Sequence, residues 1–111
     1  MKYEAGQPLT GLAQDLGSQI YEGFELEKVL IAIRHPQTGE IAQFEGNRET
    51  PESRPGRGYA MISQPVSDCG VQIGQIELHS VSASLKAVHL MRIAQSLQDE
   101  ILDARHLAKA A

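Results

Sequence analysis

The sequence predicts an α+β fold, an antiparallel sheet of four to five strands with an N-terminal and a C-terminal helix packed on one face. Three observations predict it. Stretches near both ends of the chain repeat their apolar residues at helical spacing. Between them lie short β-branched or alternating runs, and these runs come in pairs joined by turns. A hairpin can close locally and each helix has one apolar face to bury, so helices gathered over two hairpins satisfy every element. Residues 1–111 are read as one domain, long enough to bury a core without staples.

The first helix is expected over about residues 8–24. Leu9, Leu12, Leu16 and Ile20 recur on one face, Ala13 widens the stripe, and Tyr21 and Phe24 stand near its end. Thr10 can cap it. Gly17 in the middle costs about 1 kcal/mol relative to Ala, and close packing is the use such a glycine would have. The first hairpin covers 28–45. KVLIAIRH, from Lys28 to His35, is a nearly continuous apolar run of strand length; Pro36–Gly39 turns the chain, and Glu40–Glu45 returns with Ile41 and Phe44. Residues 46–57 contain no large apolar side chain and are read as a solvated loop.

The second hairpin spans 58–80. Tyr59, Met61 and Ser63 alternate with Ala60, Ile62 and Gln64, and Ser67-Asp68-Cys69-Gly70 breaks the chain. Gly74 falls where the apolar alternation changes phase between Ile73 and Ile76, which suggests a bulge. A long helix over about 85–108 follows, with Ser82 or Ser84 as its cap. Leu90, Ala94, Leu97, Ile101, Ala104 and Ala108 form one stripe, with Val88, Met91 and Leu102 off it. A helix of this length is roughly 36 Å long and outreaches a sheet of ordinary strands. Part of its apolar surface is therefore expected to meet a second copy of the chain. Leu12, Leu16, Leu90, Ala94, Leu97, Ile101 and Ala104 are the expected homodimer interface.

Two stretches resemble a known family. LGSQIYEGFELEKVLIAIRHPQTGEIAQFE, from Leu16 to Glu45, looks like the opening of a GAF domain, and AMISQPVSDCGVQIGQIEL, from Ala60 to Leu78, is similar to the family's closing hairpin. Pro65, Val66, Gly70, Ile73, Gly74, Ile76 and Leu78 carry the second likeness. The helix LKAVHLMRIAQSLQDEILDA resembles the family's final signalling helix. PAS, profilin-like and roadblock-like sheets share parts of these patterns. The resemblance implies a small regulatory or sensory module of bacterial signalling or transcription control, binding a small effector or passing a signal to a downstream effector domain. The loop at 46–57 stands where the family builds its ligand pocket, and it has no large apolar side chain to line one. A ligand-free scaffold for protein–protein contact is the alternative.

Composition narrows the classes further. A formal charge of −4 and the absence of Trp argue against a nucleic-acid binder, which needs clustered cations or stacking platforms. A single cysteine, Cys69, excludes an internal disulfide or a cysteine-clustered zinc site. Neither an apolar run of spanning length nor a secretory leader is present in the sequence, so a soluble cytoplasmic protein without membrane contact is expected. No phosphate loop, nucleophile elbow or paired-histidine metal motif occurs, and neither enzyme activity, a metal nor a cofactor is expected.

The candidate site residues follow from local chemistry. Arg34, with Arg48, Arg54 and Arg57, could gather a phosphate or carboxylate, while Glu45, Glu49 and Glu52 dilute that field. His79 should share a strand face with Glu77 and Gln75. Arg34, Tyr59, Met61 and His79 are the residues expected to meet a small effector. Cys69 reads either as a redox thiol or as a plain turn residue, with no cation in the turn to activate it. His89 borders the long helix's stripe and reads as an interface residue. Arg105 and Lys109 are expected to complement the helix's carbonyl end.

Overall fold

A computed structural model describes residues 9–24, 26–36, 38–48, 60–80 and 86–110. The caps expected at Ser82 and Ser84, most of the loop at 46–57, and Tyr59 lie outside what is described; Thr10 falls inside the first helix, not ahead of it, and Gly46 and Asn47 of the expected loop belong to the second strand. The elements are helix α1 (Leu9–Gly23), strands β1 (Lys28–Arg34), β2 (Ile41–Asn47), β3 (Ala60–Asp68) and β4 (Val71–Ser80), and helix α2 (Ala87–Ala110). The four strands form one antiparallel sheet in the order β2-β1-β4-β3. The fold is α+β.

The β-branched run of β1 sits in the middle of the sheet because it alone buries every second residue completely: Val29, Ile31 and Ile33 are sealed from solvent. Cross-strand register extends these positions into three rows, Gly46-Val29-Leu78-Ile62, Phe44-Ile31-Ile76-Gln64 and Ala42-Ile33-Gly74-Val66. Helix α1 meets the first two rows and α2 meets Gln64, where Gln64 Nε2 donates to Gln98 Oε1. The alternate rows are Lys28-His79-Met61, Glu45-Leu30-Glu77-Ser63 and Gln43-Ala32-Gln75-Pro65, with Arg34 opposite Ile41.

Helix α1 and β2 interlock through two missing side chains. A Cβ at Gly17 would lie 2.1 Å from Phe44 Cδ1, and one at Gly46 would lie 2.9 Å from the Tyr21 ring. Each aromatic therefore fills the space left by the other element's glycine, and the two rings meet edge to face at 6.2 Å. The glycine that weakens α1 locally is what lets it seat.

Turn chemistry sets the second hairpin. Cys69 and Gly70 have φ of 53° and 83°, the two positive values that a two-residue type I′ turn demands. The register shifts after Val66, which pairs with Gly74, while Ser67 pairs with Gln72. Ile73 is thus the extra residue of a bulge, where the phase change in the sequence falls. Gly74 permits it: a Cβ there would stand 2.3 Å from Ala32 O.

The α2 stripe is buried in the chain's own core, not left for a second copy. Leu90, Ala94, Leu97, Ile101 and Ala104 are at most 3% exposed and cluster with Leu12, Leu16 and the inner rows of the sheet. The strands of the second hairpin are nine and ten residues long, and α2 packs along them as far as Arg105, which reaches Asp68 at the end of β3. The exposed large apolar residues of α2 are Val88, Met91 and Leu107. His89 also departs from expectation. It is partly exposed, and its Nδ1 accepts the Lys86 N–H at 3.1 Å, half of a capping box at the start of α2.

Candidate functional site

The alternation of β1 turns Arg34 away from the helices, next to Ile41 across the strand pair. On β4, the bulge brings Gln72 and Gln75 to the same region. Ala32, Arg34, Ile41, Gln72, Gly74 and Gln75 line an open concavity of about 400 Å³. Its amides are organised: Gln72 Nε2 donates to Gly74 O at 3.3 Å and to Gln75 Oε1 at 3.2 Å, and Gln75 Nε2 donates to Ser63 Oγ at 2.7 Å. Arg34 is exposed at the lip, and Ile41 is 61% exposed beside it. A cation, fixed amides and apolar carbon in one depression can hold a small polar-headed molecule.

The same residue reaches the far side of the sheet through its backbone. Arg105 of α2 donates from Nε to Arg34 O at 3.1 Å and from Nη1 to Asp68 Oδ2 at 3.1 Å. Both Asp68 and Arg105 side chains are under a tenth exposed. His106 Nε2 stands 3.3 Å from Asp68 Oδ2, and Cys69 Sγ donates to Asp68 Oδ1 at 3.5 Å. The turn, the end of β1 and the last turns of α2 are thereby tied at one buried carboxylate. Arg105 was expected to serve the helix carbonyl end; it is instead buried and paired. Its position four residues after Ile101 places it at the margin of the buried stripe, a signal the sequence did contain. Asp68 showed only a turn residue's signature, because its partners are 37 and 38 residues away.

Met61 and His79 are cross-strand neighbours, as a shared site would require, but they stand at the other end of β4. Lys28 pairs with His79 and Arg34 with Ile41, so roughly 20 Å of strand separates them from Arg34 at 3.3 Å per residue. His79 is buried and its Nε2 lies 2.7 Å from Glu77 Oε1, with Lys28 Nζ 3.6 Å from the same oxygen. Glu77 thus sits between Lys28 and His79 within the sheet. The expected proximity of His79 to Glu77 is present; Gln75 bonds elsewhere.

The arginine cluster is not assembled among the described residues. Arg48 lies at the opposite end of the first hairpin from Arg34, 3.9 Å over the Tyr21 ring, donating to Tyr21 O at 3.2 Å and 3.8 Å from Glu22. Arg54 and Arg57 lie outside the described residues. Cys69 is exposed, and although the turn itself has no cation, Arg105 and His106 reach the neighbouring Asp68. Among the described residues no group of three His, Cys, Asp or Glu is placed to hold a metal ion, and no helix is long and apolar enough to cross a membrane. Comparison with protein-family models, curated proteins and solved structures found no match.

Proposed function

We propose that this chain is a small GAF-like regulatory module of bacterial signalling or transcription control, which binds a small effector in the concavity at Arg34 and passes the event to α2. In this reading both helices cover one face of the sheet and the effector occupies the other. The protein is non-enzymatic and works in the cytoplasm, with α2 as the element presented to a downstream domain or partner.

One observation supports it above the others. Arg34 presents its side chain to the concavity while its carbonyl accepts from Arg105, which is itself paired with buried Asp68. A ligand that pulls on the Arg34 side chain strains a backbone already bonded to α2. Coupling of this kind needs a differential contact in two states, and the Arg34–Arg105 bond is the contact offered.

Amide spectra of the whole chain test the reading during titration with a panel of small charged and neutral fragments. Compounds that move the resonances of Ala32, Arg34 and Gln72 should also move those of Ala104 to Leu107. Shifts confined to the sheet would leave the concavity without an output and defeat the proposal. A ligand-free scaffold is the second reading, supported by Val88 and Met91, which are 51% and 57% exposed on α2. A homodimer in either reading uses that outer surface, since the stripe is occupied.

A further inference from the structure

We infer that the concavity at Arg34 takes a small carboxylate with a short apolar body. This deepens the proposed function and rests on it.

Charge points to a single anionic group. Arg34 is the charged residue of the lining, and among the described residues no Asp or Glu pairs with its guanidinium. A planar guanidinium at an open lip offers two parallel N–H bonds, the geometry a carboxylate accepts. A phosphate dianion usually draws on more cations or a helix N-terminus, and the lining supplies neither.

The floor points to an apolar body. Ile41 stands directly across the strand pair from Arg34 and leaves 61% of its surface in water, with Ala32 beside it. Carbon chain laid on these side chains would remove apolar surface from water next to the charge that holds the head group. The volume of about 400 Å³ lies near the small end of the range for ligand sites.

The amides point to a hydroxyl or amine as an accepted extra. Gln75 is engaged at both ends, by Gln72 and by Ser63, and Gln72 directs its Nε2 to Gly74 and Gln75. Gln72 Oε1 is left as an acceptor without a partner among the described residues. A donor on the ligand's body would complete it.

Amide-resolved titrations of the full chain with hexanoate, its uncharged counterpart hexanamide and inorganic phosphate test this, on the natural sequence and on Arg34→Gln. Hexanoate should move Ala32, Arg34, Ile41 and Gln72 to Gln75, and hexanamide should bind at least about tenfold more weakly, as loss of a charged hydrogen bond predicts. Arg34→Gln should weaken hexanoate by a similar factor while leaving the melting temperature in place, because only an exposed side chain changes. Equal binding of hexanoate and hexanamide, hexanoate binding untouched by Arg34→Gln, or binding of phosphate alone would each overturn the ligand class and leave the effector site standing. Failure of all three probes and of the neutral fragments to move these amides would overturn the class and the effector site together.

Discussion

Asp68 and Arg105 join two segments that the sequence separates by 37 residues, and cutting that tie has a calculable effect. Asp68→Ala leaves Arg105 buried with its Nη1 bond to carboxylate gone, while Nε still reaches Arg34 O. Removing one member of a buried ion pair costs about 3–5 kcal/mol. The surviving backbone bond puts the expected loss near the low end, about 3 kcal/mol, or roughly 12 °C of melting temperature at about 4 °C per kcal/mol. Arg105→Met keeps much of the apolar stem and leaves Asp68 with His106 and Cys69, for an expected loss of about 2 kcal/mol. The double variant strands neither charge and should lose only about 3 kcal/mol, so the coupling is about 2 kcal/mol. Urea unfolding followed by circular dichroism measures all four proteins. Additivity to within about 0.5 kcal/mol would show that the two side chains act independently and would refute the clamp.

The other expectations concern packing. Gly17→Ala gains about 1 kcal/mol of helix propensity but drives a methyl to 2.1 Å from the Phe44 ring, where overpacking costs about 1–3 kcal/mol. It should lower the melting temperature in the natural sequence and lower it by less in a Phe44→Ala background, where only the Phe44 Cβ at 2.8 Å still crowds the added methyl; a gain in the natural sequence would mean the ring yields freely. Leu97→Asp and Ile101→Asp place an unpaired charge in the core and should abolish the cooperative unfolding transition. A cooperative urea transition in a variant at either position would show that the stripe does not hold the sheet.

Local pattern made the elements legible. Lys28–Arg34 stands where its β-branched run predicted a strand, and Gly74 betrayed the bulge because alternation cannot change phase without an extra residue. Gly17 was legible only as a weak point in a helix with close packing as its one use; that Phe44 fills it came from the structure. What covers a stripe was not legible. Leu90 to Ala104 announce one buried face, but periodicity is the same whether a sheet or a second helix lies against it. The site divided in the same way. Arg34 at a strand end was visible, whereas its neighbours Gln72 and Gln75 became neighbours only through strand order and the bulge. Asp68 and Arg105 each had an ordinary local explanation, which concealed a long-range pair.

The outer strands of the sheet have a consequence for how copies of this protein behave in a crowded solution. Rows of unclaimed amides on such strands invite other chains to add on, one after another, into fibres. Pro65 has no N–H to offer on β3. On β2, the bonds from Arg48 N to Glu27 O and His35 N to Glu40 O assign even-numbered residues to the inner ladder and turn the Gln43 carbonyl outward. Gln14 Nε2 already occupies that carbonyl at 3.3 Å. Growth by strand addition is thus hindered at both margins, and Gln14→Ala in a seeded polymerisation assay would expose the margin that a single side chain protects.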